Sequence, residues 1–276
     1  MSNDVIKSIQ SELALIPQGG VDDDTRAVAG TAQNKRISIK GGVFRKMAGG
    51  KEVGVIEDRH MEIIFVKMAH EYHRQYFTEA FKEGEAIAPV CWSSDCKTPD
   101  LDVENPQSPI CSTCPQAVKG SAQQGPGAAC RFSRRTAVVL PRDPAGDVMQ
   151  LTLPATSIFG DEDNGKWPHT AYVRMLAANG ISASRVITRM QFDTKSATPK
   201  LLFSPVGPVP QDMIDIIKRQ GASAEAEEAI KLKVFKKKPE DEAAAPAQPV
   251  LRQVTADAKA EPEKDVPEII KKWSKK

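Results

Sequence analysis

CWSSDC at residues 91–96, CSTCP at 111–115 and CRFSRR at 130–135 hold all five cysteines of this chain of 276 residues. Gly, Pro, Ser and Gln fill much of the sequence between them. A segment this polar buries too little apolar surface to order itself. Two thiolates separated by two residues, as at Cys111 and Cys114, hold a zinc ion from a tight turn while distant cysteines complete a tetrahedron. We therefore expect a structural zinc site in this segment.

The cysteine content favours a metal site over disulfide bonds. Five is an odd number, and the rest of the chain contains no cysteine. The first residues, MSNDVIK, lack the basic start and apolar core of a secretion signal, and no apolar run is long enough to cross a bilayer. We therefore expect a protein of the cytoplasm that makes no contact with membranes.

Zinc bound by four thiolates needs a second pair of ligands besides Cys111 and Cys114. Cys130 begins a predicted strand and Cys91 follows another, so the two lie side by side if these strands are neighbours. Cys91 and Cys96 can exchange roles in this scheme. A histidine can also replace one cysteine, and the chain has four of them, His60, His70, His73 and His169.

Catalytic patterns are weak in this sequence. A catalytic zinc needs an open coordination position and a general base. Zinc deaminases carry Pro-Cys-x-x-Cys, whereas here Pro115 follows Cys114. No paired carboxylates stand out at a spacing that would hold Mg²⁺, so a nuclease is the weakest reading. We expect a binding protein and not an enzyme.

Alternating apolar and polar residues predict a mainly β fold with added helices. The predicted strands lie at 37–40, 43–47, 53–56, 61–68, 73–77, 87–90, 132–140, 148–153, 184–192 and 201–206. The predicted helices lie at 2–15, 170–179, 211–219 and 224–234. The cysteine segment is therefore expected to be an excursion between two strands.

Basic residues gather locally although the formal net charge is only +2. Residues 111–142 contain no acidic residue, and residues 31–59 contain seven basic residues and three acidic ones. Single-stranded nucleic acid binds to surfaces that combine cations with aromatic rings. Phe44 and Phe132 alternate with polar residues, so they equally fit a place in the core. The candidate nucleic-acid contacts are Lys40, Arg45, Lys46, Tyr72, Tyr76, Trp92, Lys119, Arg131, Arg134 and Arg135.

Several of these motifs resemble a group of bacteriophage proteins taken to be single-stranded DNA-binding proteins. The similar motifs are PVCWSSD at 89–95, KTP at 97–99, CSTCP at 111–115, GSA at 120–122 and CRFSRR at 130–135, and the resemblance extends over residues 30–220. That group often has Asp-Gly where this chain has Asp95-Cys96. The resemblance thus implies Cys91, Cys111, Cys114 and Cys130 as zinc ligands, in a loop at 91–130 inserted into an OB-like five-stranded barrel.

The C-terminal residues have a different composition from the rest. Residues 236–276 are rich in Ala, Pro, Lys and Glu, which predicts a disordered tail after an N-terminal arm at 1–30 and a binding domain at 31–235. Single-strand binders of replication commonly end in an acidic tail, whereas this chain ends KKWSKK. Ile269, Ile270 and Trp273 share one helical face and form a candidate site for a replication or recombination partner. The alternatives are a tail that binds nucleic acid itself and a frayed end with one stray Trp.

Two functions fit these patterns. The leading hypothesis is a phage protein that coats single-stranded DNA during replication or recombination in the host cytoplasm. The alternative is a zinc-knuckle interaction module that docks on a polymerase or virion component. Both require zinc, and only the first requires a surface of cations and rings.

Overall fold

The computed structural model describes Thr25, Val28 and residues 35–79, 87–123 and 125–234. These residues form strands β1 (Arg36–Ser38), β2 (Phe44–Ala48), β3 (Lys51–Ile56), β4 (His60–Met68), β5 (His73–Tyr76), β6 (Cys91–Ser93), β7 (Cys130–Val139), β8 (Met149–Pro154), β9 (Val186–Phe192) and β10 (Leu201–Pro208). They also form helices α1 (Ala155–Ile158), α2 (His169–Ala178), α3 (Ile214–Ala222) and α4 (Ala224–Ile230). None of these helices is long and apolar enough to cross a membrane.

Contacts divide the chain into a first unit, Met1–Lys236, and a second unit, Lys237–Lys276. All described residues belong to the first unit. The predicted helix at 2–15 and the tail residues Ile269, Ile270 and Trp273 lie outside the described part of the chain, so those predictions stay predictions.

One mixed sheet contains the described strands. Its path runs β10-β9-β4-β7-β8-β1-β2-β3, and β5 joins it by pairing with both β7 and β6. Only β1 and β8 run parallel among these pairs. Phe44 on β2 and Phe192 on β9 lie far apart on this path, yet their ring centroids are 4.5 Å apart. The sheet must therefore curl into a half-barrel to bring them together.

Apolar residues cover both faces of the central strands β4 and β7. Ile63, Phe65 and Val138 belong to a core that includes Tyr172 and Leu176 of α2. The intervening Ile64, Ala137 and Val139 belong to a second core with residues of α3 and α4. Because strand side chains alternate between faces, both cores form on the same two strands, one on each side of the sheet.

The prediction of a mainly β fold with added helices is confirmed. Each predicted strand region contains or adjoins an observed strand, although β6 begins at Cys91, directly after the predicted segment. The described residues form ten strands on one sheet, so the sheet is larger than the predicted five-stranded barrel. Periodicity locates strands but does not tell which of them pair, and the OB-like assignment stays a prediction.

Candidate metal centre and nucleic-acid interface

Strand β5 lies between the two ends of the cysteine segment. Tyr76 pairs with Cys91 of β6 on one side and with Cys130 of β7 on the other. Cys91 and Cys130 are therefore not side by side as expected, because their strands are two strand spacings apart, roughly 10 Å. Directly paired residues face the same side of a sheet, so both cysteines share the face of Tyr76.

Hydrogen bonds within the loop position the other three cysteines. Asp95 Oδ1 accepts bonds from the backbone N–H groups of Lys97 at 2.8 Å and Thr98 at 3.3 Å. The Cys111 N–H donates to the Lys97 carbonyl at 2.8 Å, and the Cys114 N–H donates to the Cys111 carbonyl at 3.4 Å. These contacts link the turn at Asp95 directly to the Cys111–Thr113 turn.

Four cysteines line one small cavity. They are Cys91, Cys111, Cys114 and Cys130, all buried, and the cavity volume is about 10 Å³. That volume suits about one small atom. Cys96 does not line the cavity and is half-buried, but its thiol interacts with Cys111 and Cys130. All five are free thiols, and the described residues contain no group of three or more His, Cys, Asp or Glu already arranged as a metal site.

Burial raises the pKa of three of these thiols, those of Cys96, Cys111 and Cys130. It raises the pKa of Cys96 to about 12 and that of Cys130 to about 11, and the Arg74 guanidinium offsets part of each rise. Burial also raises the pKa of Cys111, against a hydrogen bond with Ser93. A metal ion at this place must displace protons from its ligands, as zinc does when it binds cysteine.

The buried charge of Arg74 bears on whether a metal–thiolate centre fits in this cavity. Its side chain lines the cavity, is 9% exposed and lies within hydrogen-bonding range of the Cys96 and Cys130 thiols. Within the described part of the chain, its Nε and Nη1 have no hydrogen-bond partner. A buried cation requires a compensating anion. Four thiolates around Zn²⁺ carry net negative charge, so the donor set and its surroundings fit zinc.

A cluster of rings and guanidinium groups lies next to this cavity on β5 and β7. Phe132 contacts Tyr72 and Phe159, with ring centroids 6.2 Å and 5.7 Å apart. The Tyr72 and Phe159 centroids are 5.1 Å apart. Arg74 Cζ lies 3.8 Å from the Phe132 centroid, and Arg134 Cζ lies 4.1 Å from the Tyr72 centroid. We call these five residues the arginine–aromatic cluster.

Part of this cluster reaches the surface. Phe159, which directly follows α1, is 42% exposed. Tyr72, Phe132 and Arg134 are half-buried. The Arg134 Nη2 donates to the His70 carbonyl at 3.4 Å, and the Tyr72 hydroxyl bonds to Thr170 at 3.2 Å. The rings are thus held by their neighbours and still present edges to solvent.

The predicted nucleic-acid residues divide into groups. Tyr72 and Arg134 belong to the cluster, whereas Arg131 is exposed on the opposite face of β7, since it pairs with Gln75 while Phe132 pairs with Arg74. Lys119 is exposed and follows the Pro115–Ala117 turn, which packs against β7. Tyr76 lines the cysteine cavity.

Trp92 and Arg135 point into the protein. Trp92 is 7% exposed, and its indole N–H donates to Asp102 at 3.2 Å. Arg135 is 8% exposed and donates to the carbonyls of Lys231 at 2.6 Å and Lys233 at 3.3 Å. Burial lowers the pKa of Arg135 to about 10. Both side chains are therefore engaged in contacts within the protein and are not exposed to a ligand.

Lys40 lies in a short helical turn, Lys40–Gly42, and Arg45 and Lys46 follow it on the sheet. Arg45 and Lys46 are on β2, which is separated from β7 by β8 and β1 in the strand order. Arg45 forms an ion pair with Glu52 at 2.6 Å. Phe44 on the same strand is completely buried, so for this ring the core alternative is the correct one. The described sheet does not bring this basic group next to the arginine–aromatic cluster.

Sequence reasoning missed two residues of the cluster. The sequence could have indicated Arg74, because it occupies an alternating strand position close to aromatic residues in HRQY at 73–76. Phe159 has no such signal, because it lies after a four-residue helix, α1, that no pattern predicted. Its place beside Tyr72 and Phe132 depends on the sheet bringing distant segments together.

A His-x-Glu triplet at residues 60–62 is the other half of the zinc-deaminase signature. It lies on β4, where Glu62 pairs with Arg189 of β9 and accepts a bond from it at 2.8 Å. The cysteines gather instead at β5, β6 and β7. The His-x-Glu triplet therefore lies apart from the cysteines, and the Pro-Cys-x-x-Cys half of the signature is absent from the sequence.

Comparison with family models, curated proteins and solved structures finds no match for this chain. Its geometry consists of a cysteine-lined cavity, a buried arginine at that cavity and a partly exposed set of rings beside it. Arg74 belongs to both features, since it lines the cavity and stacks on Phe132. The two sites therefore form one continuous region of the molecule.

Proposed function

We propose that this chain binds single-stranded DNA through the arginine–aromatic cluster. The observation that carries the proposal is the stacking of Arg134 on Tyr72 and Arg74 on Phe132 in a ring set whose Phe159 is exposed. Single-stranded nucleic acid is bound by rings that stack on bases and cations that follow the phosphates. A duplex hides its base faces, so this surface favours single strands.

Each part of the cluster has a distinct role in this proposal. Phe159 and Tyr72 offer ring surface to bases, and each stacked base contributes about 1–3 kcal/mol. Arg134 holds Tyr72 in place and supplies positive charge for phosphate, and Lys119 adds charge from the loop. Stacking does not depend on base identity, so we expect binding with little sequence preference.

Zinc completes the proposal as a structural ion. Cys91, Cys111, Cys114 and Cys130 would hold it, since they line the same cavity, and Cys96 is the alternative to Cys91. When bound, the ion would cross-link the loop to the strand ends. The chain's own residues perform the recognition of DNA.

The biological setting follows from the resemblance of the cysteine motifs. It favours a phage protein with an OB-like barrel that coats DNA during replication or recombination in the host cytoplasm. No reaction is assigned to the chain in this proposal. A partner on the tail, through Ile269, Ile270 and Trp273, belongs to the same proposal and lies outside the described residues.

Substitution of Phe159 tests the proposal directly. We expect Phe159→Ala to weaken binding of a fluorescein-labelled single-stranded oligonucleotide about fivefold or more, because a stacking ring is lost. Ile181→Ala is the matched control, since Ile181 is 41% exposed and outside the cluster. Fluorescence anisotropy measures both, and equal affinity of the two variants for the oligonucleotide would contradict the proposed surface.

A second function is favoured by a separate observation. Leu101, Ile110 and Val118 on the cysteine loop are 107%, 49% and 60% exposed, so the loop presents apolar side chains to solvent. Such residues suit docking on a protein partner. Capture of a polymerase or virion protein by wild type and its loss in Leu101→Asp, with no nucleic acid present, would support this function over the first.

A further inference from the structure

Arg74 joins the cysteine cavity to the arginine–aromatic cluster. It lies on β5, where it pairs with Ser93 of β6 on one side and with Phe132 of β7 on the other. Its guanidinium lines the cavity, and its Cζ stacks 3.8 Å from the Phe132 centroid. One side chain therefore contacts both sites.

The charge of Arg74 makes this contact sensitive to the state of the cysteines. The side chain is 9% exposed, and no ion pair joins it to a carboxylate within the described residues. A buried cation without an anion is costly, whereas a metal–thiolate centre beside it supplies the missing negative charge. Metal binding thus favours the observed position of Arg74.

The position of Arg74 in turn affects the rings. Phe132 is in contact with both Tyr72 and Phe159, so a guanidinium fixed on Phe132 restrains the whole ring set. A preorganised surface binds its ligand more tightly, because less ordering remains to be done on binding. Without the metal, the buried guanidinium lacks a compensating anion, so moving into water becomes more favourable for it. Phe132 is then no longer restrained by the stacked guanidinium.

We propose that Arg74 is a positioning residue that couples occupancy of the cysteine site by a thiophilic divalent cation to the affinity for single-stranded DNA. This inference rests on the proposed function and adds a regulation to it. Coupling between two binding sites is reciprocal. Zinc therefore strengthens DNA binding by the same factor by which DNA strengthens zinc binding.

The test measures both affinities. Fluorescence anisotropy gives the affinity of the full-length protein for a labelled oligonucleotide, with zinc and after removal of zinc by a chelator. Competition with a chromophoric chelator gives the zinc affinity with and without the oligonucleotide. We expect both affinities of the wild-type protein to change by one common factor, on the order of 5- to 150-fold.

Two substitutions separate the roles of the arginines. Arg74→Met removes the charge at the cavity, so we expect the coupling factor to fall close to one while the zinc-loaded variant stays folded by circular dichroism. Arg134→Met is the matched control, because Arg134 stacks on Tyr72 at a similar distance. It should weaken oligonucleotide binding and keep the coupling factor of wild type. If Arg74→Met does not fold, Arg74→Lys decides, since an ammonium cannot reproduce the planar stacking and should lower the factor.

The possible results separate the inference from the proposed function. Equal oligonucleotide affinity of the zinc-loaded and zinc-free wild-type protein overturns the coupling and leaves DNA binding intact. A coupling factor in the folded Arg74 variant equal to that of wild type also overturns it, because the loop would then transmit the effect without Arg74. Failure of every form to bind the oligonucleotide overturns the proposed function itself.

Discussion

Cys96 occupies a backbone conformation that glycine adopts most easily. Its φ is 61°, in the left-handed region that non-glycine residues rarely enter. Asp95 stabilises this turn, because its Oδ1 accepts hydrogen bonds from the backbone N–H groups of Lys97 and Thr98. The turn therefore explains the position of Cys96 without a metal, and Cys91 is the one of the two that lines the cavity.

Serine substitutions distinguish cysteines that bind zinc from Cys96, which we expect not to bind it. We expect Cys114→Ser to lose zinc, because it removes one thiolate from the Cys111 pair, and to loosen the loop. Cys96→Ser should retain one zinc ion per chain. Atomic-absorption analysis of the purified variants measures the zinc content, and loss of zinc from Cys96→Ser together with its retention in Cys91→Ser would assign Cys96 as the ligand.

His169 is buried among rings without a hydrogen-bond partner in the described residues. Its nitrogens Nδ1 and Nε2 are both unpaired, and the ring lies 5.4 Å from Phe65 and 5.7 Å from Phe203. Burial, with a smaller contribution from the charge of Arg134, lowers the pKa of His169 to about 3. Burial likewise lowers the pKa of His73 to about 4.

Protonation of His169 predicts acid-sensitive stability. The unfolded chain binds this proton near pH 6.5 and the folded chain only near pH 3, so stability is complete above pH 6.5 and is lost as the pH falls through this window. We expect His169→Leu to reduce the stability lost between pH 7 and pH 5 by about 2 kcal/mol. Urea unfolding at both values measures this, and an unchanged loss in the variant would show that His169 does not titrate as described.

At the scale of elements, α3 packs closely on a bulge of β4. A Cβ added at Gly221 would lie 2.6 Å from the Val66 carbonyl oxygen, and the pairing of β4 with β7 shifts register between Phe65 and Lys67. The Lys67 ammonium bonds to Glu227 of α4 and to the Gly221 carbonyl. Glycine at this position therefore permits the helix to approach the strand.

Gly221→Ala should destabilise the protein although alanine is the better helix former. Alanine normally gains up to about 1 kcal/mol in a helix. Here the forced shift against backbone costs roughly 1–3 kcal/mol, so the net change is a loss. Gly54→Ala is the control, since no atom lies within 4 Å of its added Cβ. Thermal unfolding compares the two, and a more stable Gly221→Ala would contradict the close packing.

The sequence predicts the positions of most strands and helices of this fold, but it does not predict which strands pair with one another. Alternation located β9, in which every second residue is buried, whereas consecutive apolar residues located β4 and β7, whose central residues are buried on both faces. Neither pattern could place β5 between β6 and β7, since partner choice depends on contacts between distant segments. The same alternation separates Arg134 from Arg135 on opposite faces of β7, so a cluster of arginines in the sequence is not a cluster in space.

At the scale of the whole molecule, the curled sheet unites the candidate site. β5 and β7 carry Arg74 and Phe132, the segment before β5 carries Tyr72, and the chain after α1 brings Phe159. The segment Lys231–Val234 lies against the other face of β7, where Arg135 donates to its carbonyls, and Leu232 and Val234 pack near Cys91 and Trp92. The rings and the last described residues thus pack on opposite faces of β7, and the ends of the cysteine loop lie at the strands between them.

Binding of DNA at two salt concentrations tests the central claim most directly. Anisotropy of the zinc-loaded, full-length protein with a labelled single-stranded oligonucleotide and with the matching duplex gives four affinities. We predict tighter binding of the single strand at both concentrations, with a loss on the order of tenfold between 50 mM and 200 mM salt, because a few phosphate contacts release counterions. Tighter binding of the duplex, or an affinity that does not change with salt, would contradict the account.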